Sequence, residues 1–188
     1  SEERGNTRHL YLVTHSRHPF LVTGSPVLRS RRQVNSSNSK LRGKHVEMEL
    51  KSRRHTVPDP AGAMELCYTN GWTDGLPVVP PTAERIHAML EAGGVEPQRQ
   101  VAFIENRQVS VTAEKVAINA VMAGCKAEYM PVVLAAIEAL ADPLYGYHGP
   151  ATSTGGSAVF MVVNGPIARE LGINSGNNLF GPGWRANA

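Results

Sequence analysis

The chain has 188 residues, 41% of them hydrophobic and 19% charged, which is enough apolar material for one packed domain. Its formal net charge of +3 hides a division: residues 1–55 carry twelve Lys and Arg against four acids, and residues 56–188 carry seven against twelve. The basic balance belongs to the N-terminal arm, and the mildly acidic remainder is a poor electrostatic match for nucleic acid.

The chain begins at Ser1 and its first methionine is Met48. Residues 1–56 therefore read as a basic, disordered leader or a non-native extension, with an Arg- and Ser-rich transit peptide as the alternative. Their apolar patch, Leu10 to Val13, is too short for a signal sequence or a membrane span. Tyr11 and Phe20 make no stacking pattern for a nucleic acid. The second expected unit, residues 57–188, is an α/β or α+β domain: a short mixed sheet packed by several helices, incomplete at its C-terminus.

Asp59-Pro60 predicts a helix start, since Asp can accept free N–H groups and Pro suits the first turn; Asn70-Gly71 predicts its end. Trp72-Thr73-Asp74-Gly75 is a turn, and Leu76 to Val79 a short extended run closed by Pro80-Pro81. Thr82 caps a second helix, Ala83 to Ala92, ended by Gly93-Gly94. Val101–Ile104 and Gln108–Val111 flank Glu105-Asn106-Arg107 as a hairpin. Thr112 caps a third helix whose sequence, AEKVAINAVMA, is apolar nearly all round and predicts burial on more than one face. Pro131 opens a fourth, Ser157 to Val163 reads as a buried strand, and Pro166 to Leu171 as a short helix.

Glu114 and Lys115 fall in the first turn of the third helix. The bland reading is an acid suited to the helix dipole beside a solvated lysine; the functional one is a general base or an anion-binding lysine at a pocket rim. Cys67 reads as a small core residue. Cys125 follows a helix end and precedes Lys126, a charge able to favour its thiolate, and His148 is the base that can accompany it; an inert, buried thiol is the competing reading. Two cysteines without CxxC spacing give no zinc site.

The loops carry the stronger signal. Thr152-Ser153-Thr154-Gly155-Gly156 precedes the strand at Ser157, Asn164-Gly165-Pro166 follows it, and Gly172 to Asn178 is rich in Gly and Asn. Backbone of this kind approaches ligands closely, and Asn offers both donors and acceptors. Gly and Asn also simply make turns. There is no Walker lysine or GxGxxG, so a nucleotide is not indicated. The expected site is therefore catalytic Cys125, Asp74 and His148, with Thr154, Asn164, Asn174, Asn177, Asn178, Arg185 and Trp72 binding a small polar or anionic substrate, Arg185 as a carboxylate clamp. No metal ligand and no particular cofactor is indicated.

The runs Asn70 to Thr82 (NGWTDGLPVVPPT), Ala113 to Cys125 (AEKVAINAVMAGC), Tyr129 to Leu134 (YMPVVL) and Gly172 to Ala188 resemble the N-terminal half of an uncharacterised bacterial family associated with UGSC-type selenocysteine or cysteine proteins, encoded nearby or fused. The resemblance covers about Pro58 to Ala188, and residues 1–55 match nothing in it. It implies a pattern continuing past Ala188 with a threonine-led helix, and a redox-active partner protein, which tilts the chemistry toward thiol or redox. It carries no catalytic residues across. Three function classes follow: a cytoplasmic enzyme fragment, which we favour; a non-catalytic subunit docking a redox partner through the Trp72–Gly75 turn; and, least, a nucleic-acid binder using the basic arm. No membrane association is expected.

Overall fold

The computed structural model describes Leu10–Thr14 and Met48–Ala188. Asp59 caps α1 (Pro60–Thr69), its carboxylate accepting from the Gly62 N–H at 2.7 Å. Thr82 caps α2 (Ala83–Gly93), which ends on Gly94 in the left-handed region at φ 60°, where a side chain would be strained. β2 (Gln100–Ile104) and β3 (Val109–Thr112) form an antiparallel hairpin around the 3-10 turn Glu105–Arg107. Thr112 then caps α3 (Ala113–Met122), and α4 (Met130–Leu140) follows with Pro131 in its first turn. These elements lie where the capping and turn residues predicted them.

The core is where α2, α3 and α4 meet. Ile86, Met89 and Leu90 of α2 face Val116, Ala120 and Val121 of α3, with Met130 and Leu134 of α4 closing the cluster. These positions recur three and four residues apart, so each helix turns one apolar stripe inward. Burying one such Leu, Ile or Met side chain stabilises by roughly 1.5–3 kcal/mol. α2 and α4 approach closely at Gly93, where a Cβ would stand 2.9 Å from Met130 Cγ and 3.0 Å from Leu134 Cδ1.

The expected fold class holds, as helices with short sheets, but in place of a mixed sheet there are two antiparallel pairs among the described residues. The four-residue connection, Glu105 to Gln108, can join β2 to β3 only antiparallel. The other pair joins β1 (Leu10–Thr14) to β4 (Val159–Val163), Leu10 opposite Val163. α5 (His148–Thr152) and α6 (Pro166–Glu170) are single short helices flanking β4.

Leu76 to Val79 lies in no strand among the described residues: Pro77, Pro80 and Pro81 lack N–H donors, and the run is anchored by the Val79 N–H bonded to Met122 O at 3.1 Å. Two expectations need correction. β4 is a strand but not a buried one, since Val159 to Val162 are 37–46% exposed and its pairing with β1 leaves both faces open. The domain also begins upstream of residue 57. The leader falls largely outside the described residues, but Met48 and Leu50 pack on the core and Ser52 to His55 line a cavity. Among the described residues no helix is long and apolar enough to cross a membrane.

Candidate functional site

A cavity of about 690 Å³ lies between the 50–57 segment, α1, the Trp72–Thr82 loop and α3, and a smaller one of about 370 Å³ between the β2–β3 hairpin, α4 and α5. Its organising group is Glu114, in the first turn of α3 and 2% exposed. The turn is seated by neighbouring carbonyls: Ala113 N–H donates to Arg99 O and Glu114 N–H to Pro97 O, both at 2.9 Å. That fixes the carboxylate pointing toward the upstream segment. It accepts from Lys51 N–H at 3.1 Å, Ser52 N–H at 2.7 Å and Gln98 Nε2 at 2.7 Å.

Burial opposes ionisation of Glu114, but the Ser52 hydroxyl, the two backbone N–H groups and the Gln98 amide outweigh it and hold the carboxyl below its ordinary value of 4.5. Ser52 Oγ stands near the carboxylate but outside hydrogen-bond geometry, a buried polar atom without a partner among the described residues. The N–H groups and Gln98 are its hydrogen-bond donors, with the Ser52 hydroxyl beside it. Glu114 acts as a positioning residue: donors from the chain itself engage both of its oxygens.

By tying down residues 51 and 52, Glu114 sets Arg53, Arg54 and His55 along the cavity wall, opposite Lys115. None of Arg53, Arg54 and Lys115 pairs with a carboxylate among the described residues. Glu114 is the one acid in the lining. The remaining wall is apolar, with Leu66, Cys67, Ile86 and Ile118, and Trp72 stands at the edge, 49% exposed, in an edge-to-face contact with His55 at 5.3 Å. A cavity of this size, mostly apolar with a few convergent charges, has the make-up of a small-molecule site.

The three expected catalytic residues occupy three different settings. Asp74 is exposed and accepts, at 3.4 Å, from the Leu76 N–H two residues on, a turn-closing role. His148 opens α5 and lines the smaller cavity. Cys125 follows α3, and burial pushes its thiol above the ordinary value of 9.0, which the Arg185 guanidinium nearby offsets only in part. The charge beside it is Arg185 and not Lys126, which pairs with Glu128 at 3.6 Å. At neutral pH this thiol is protonated, so iodoacetamide should label Cys125 more slowly at pH 7 than it labels the urea-unfolded chain, as followed by mass spectrometry; equal or faster labelling would mean an activated thiolate.

Of the expected binding residues, Trp72 alone lines the larger cavity; Thr154, Asn164, Asn174, Asn177, Asn178 and Arg185 line neither. Three of them, Asn174, Asn178 and Arg185, turn their side chains onto the chain itself. Asn174 N–H donates to Asn187 Oδ1 (2.8 Å), Asn187 Nδ2 returns a bond to Asn174 O (2.9 Å), and Asn174 Nδ2 reaches Asn177 O (3.0 Å). Asn178 sits at φ 59° and bonds to Pro182 O at 3.1 Å. Arg185 places Nε and Nη2 on one oxygen, Gly124 O, at 3.0 and 2.6 Å, fastening the turn after α3 instead of clamping a carboxylate. Sequence reasoning missed Arg53, Arg54 and His55 because they were counted with the leader; the apolar–charged alternation Met48-Glu49-Leu50-Lys51 was the available signal of a packed segment.

Among the described residues no cluster of three or more His, Cys, Asp or Glu is arranged to hold a metal ion. No family model, curated protein or solved structure matches the chain.

Proposed function

We propose that the protein binds a small anionic substrate in the cavity between α1, α3 and the 50–57 segment, as the substrate-holding part of an enzyme. The observation that carries this reading is the charge of the cavity: Arg53, Arg54 and Lys115 line it against one carboxylate among the described residues, Glu114, which three donors from the chain itself already engage. An anion entering there meets cations and an apolar wall, and its ring or chain packs against Trp72 and Ile118. His55, against Trp72, is the group at the wall whose imidazole can give or take a proton.

The test uses Trp72 fluorescence in a Trp184→Phe background, titrated with inorganic phosphate and with benzoate. Saturable quenching is expected, weakened about tenfold by Lys115→Met or Arg53→Met, the effect of losing roughly 1.4 kcal/mol of attraction. No quenching, or quenching that both variants leave unchanged, would remove the cavity from consideration.

A second reading, a subunit that docks a redox-active protein of the UGSC type, is favoured by one feature. Trp72, Tyr68 (58% exposed) and Leu76 (69% exposed) form an apolar ledge beside the cavity mouth. Leu76→Asp separates the two: it abolishes partner capture if the ledge docks, and leaves anion quenching intact.

A further inference from the structure

We propose that the smaller cavity, about 370 Å³, is a second and independent ligand site, taking an amine with an apolar body. It is closed by the β2–β3 hairpin on one side and by the end of α4 and the start of α5 on the other. Its floor is aliphatic: Ala102 and Ile104 of β2, Val111 of β3, and Ile137 and Leu140 of α4. That space suits a short alkyl chain or a single ring and offers such a group burial from water.

The rim decides which head group follows. Glu105 and Asp142 stand on it against one cation, Arg107. Asp142 Oδ1 accepts from the Leu144 N–H at 2.8 Å, which fixes the carboxylate in place and leaves its second oxygen for a ligand. Phe103 and Tyr147, each 41% exposed, also line the mouth, and Tyr147 is held by stacking on Tyr145 at 6.5 Å. Carboxylates beside aromatic faces attract an ammonium group twice over, by ion pairing and by the negative potential of the rings. A carboxylate ligand would meet two like charges against Arg107 alone, and a neutral one would gain from the floor only. The site thus has the opposite preference to the Arg- and Lys-lined cavity on α3.

The experiment titrates octylammonium and octanoate at pH 7 into the full chain, following backbone amide shifts by NMR. Octylammonium should shift the amides of residues 102–107 and 140–152 saturably, and octanoate should bind there at least about tenfold more weakly. Asp142→Asn keeps an oxygen to cap the Leu144 N–H while removing the charge, so it should weaken octylammonium about tenfold and leave octanoate unchanged or improved. Ala151→Leu, an exposed position on α5 that reaches the cavity, should reduce binding of both. The proposal is overturned if octanoate binds as tightly as octylammonium, if Asp142→Asn has no effect, or if the saturable shifts are absent or fall elsewhere.

Discussion

Replacing Glu114 by Ala should lower stability by about 3 kcal/mol, because two backbone N–H groups and the Gln98 amide lose a charged acceptor in a site water reaches poorly. For a domain of this size the thermal midpoint should fall by roughly 10 °C. Glu114→Gln should cost less, since it keeps one oxygen for the Ser52 N–H, but it turns an NH2 toward a donor. The pH dependence gives a separate signature. The folded carboxyl titrates below its ordinary value of 4.5, so the folded chain keeps the charge when the unfolded chain has begun to lose it. Its contribution is complete above that value and disappears as pH falls through the lower, folded value. The wild type should therefore lose stability on acidification more steeply than Glu114→Gln, as thermal melts at a series of pH values would show. Parallel acid limbs would mean that the carboxylate does not hold the 51–52 segment. Glu114→Ala should weaken anion binding, because Arg53, Arg54 and His55 lose their anchor while Lys115 stays.

The second large effect is expected at Gly93. In an open helix Gly→Ala is stabilising by about 1 kcal/mol. Here the added Cβ would press on Met130, which is fully buried, and on Leu134, at 2.9 and 3.0 Å, both well inside ordinary van der Waals contact. Overpacking of that kind costs roughly 1–3 kcal/mol, so the clash outweighs the helical gain and Gly93→Ala should be destabilising by up to about 2 kcal/mol. Gly93→Val, bulkier and a poorer helix former, should be worse. Met130→Ala alone should cost roughly 2–5 kcal/mol by leaving a void. Combined with Gly93→Val, part of that loss should return, since the new methyls occupy the space vacated. A double-mutant cycle by urea unfolding measures the coupling; strictly additive costs would contradict the close approach of α2 and α4.

What could be read from the residues in order was whatever depends on near neighbours. Asp59, Thr82 and Thr112 cap helices because a short oxygen-bearing side chain reaches the N–H three residues on, and that reach is written in the local sequence. The hairpin, Gly94 and the Pro-led helices follow from the same kind of local rule. The candidate site does not. Glu114 looked like an ordinary first-turn acid because two of its three partners, the Lys51 and Ser52 N–H groups, lie more than sixty positions upstream. The Asn-rich loops were correctly seen as rich in donors and acceptors, but Asn174 and Asn187 spend them on each other across thirteen positions. The apolar run at Val159 declared a strand; whether anything covers it depends on the rest of the fold. Charge could be counted from the sequence, but Arg53 and Arg54 could not be assigned to a cavity until the segment carrying them was seen to be fastened to α3.

The bond from Arg185 to the Gly124 carbonyl spans 61 positions, and it has a bearing on how the protein is made. On the ribosome α2, α3 and α4 can assemble as soon as they emerge, since their contacts are close in sequence. The Gly124 carbonyl, in the turn after α3, must stay hydrated through that period and waits for a residue synthesised much later. A nascent chain arrested before Arg185 should therefore hold its three-helix nucleus, the end of α3 already bonded, with the turn after α3 unfastened until the guanidinium arrives.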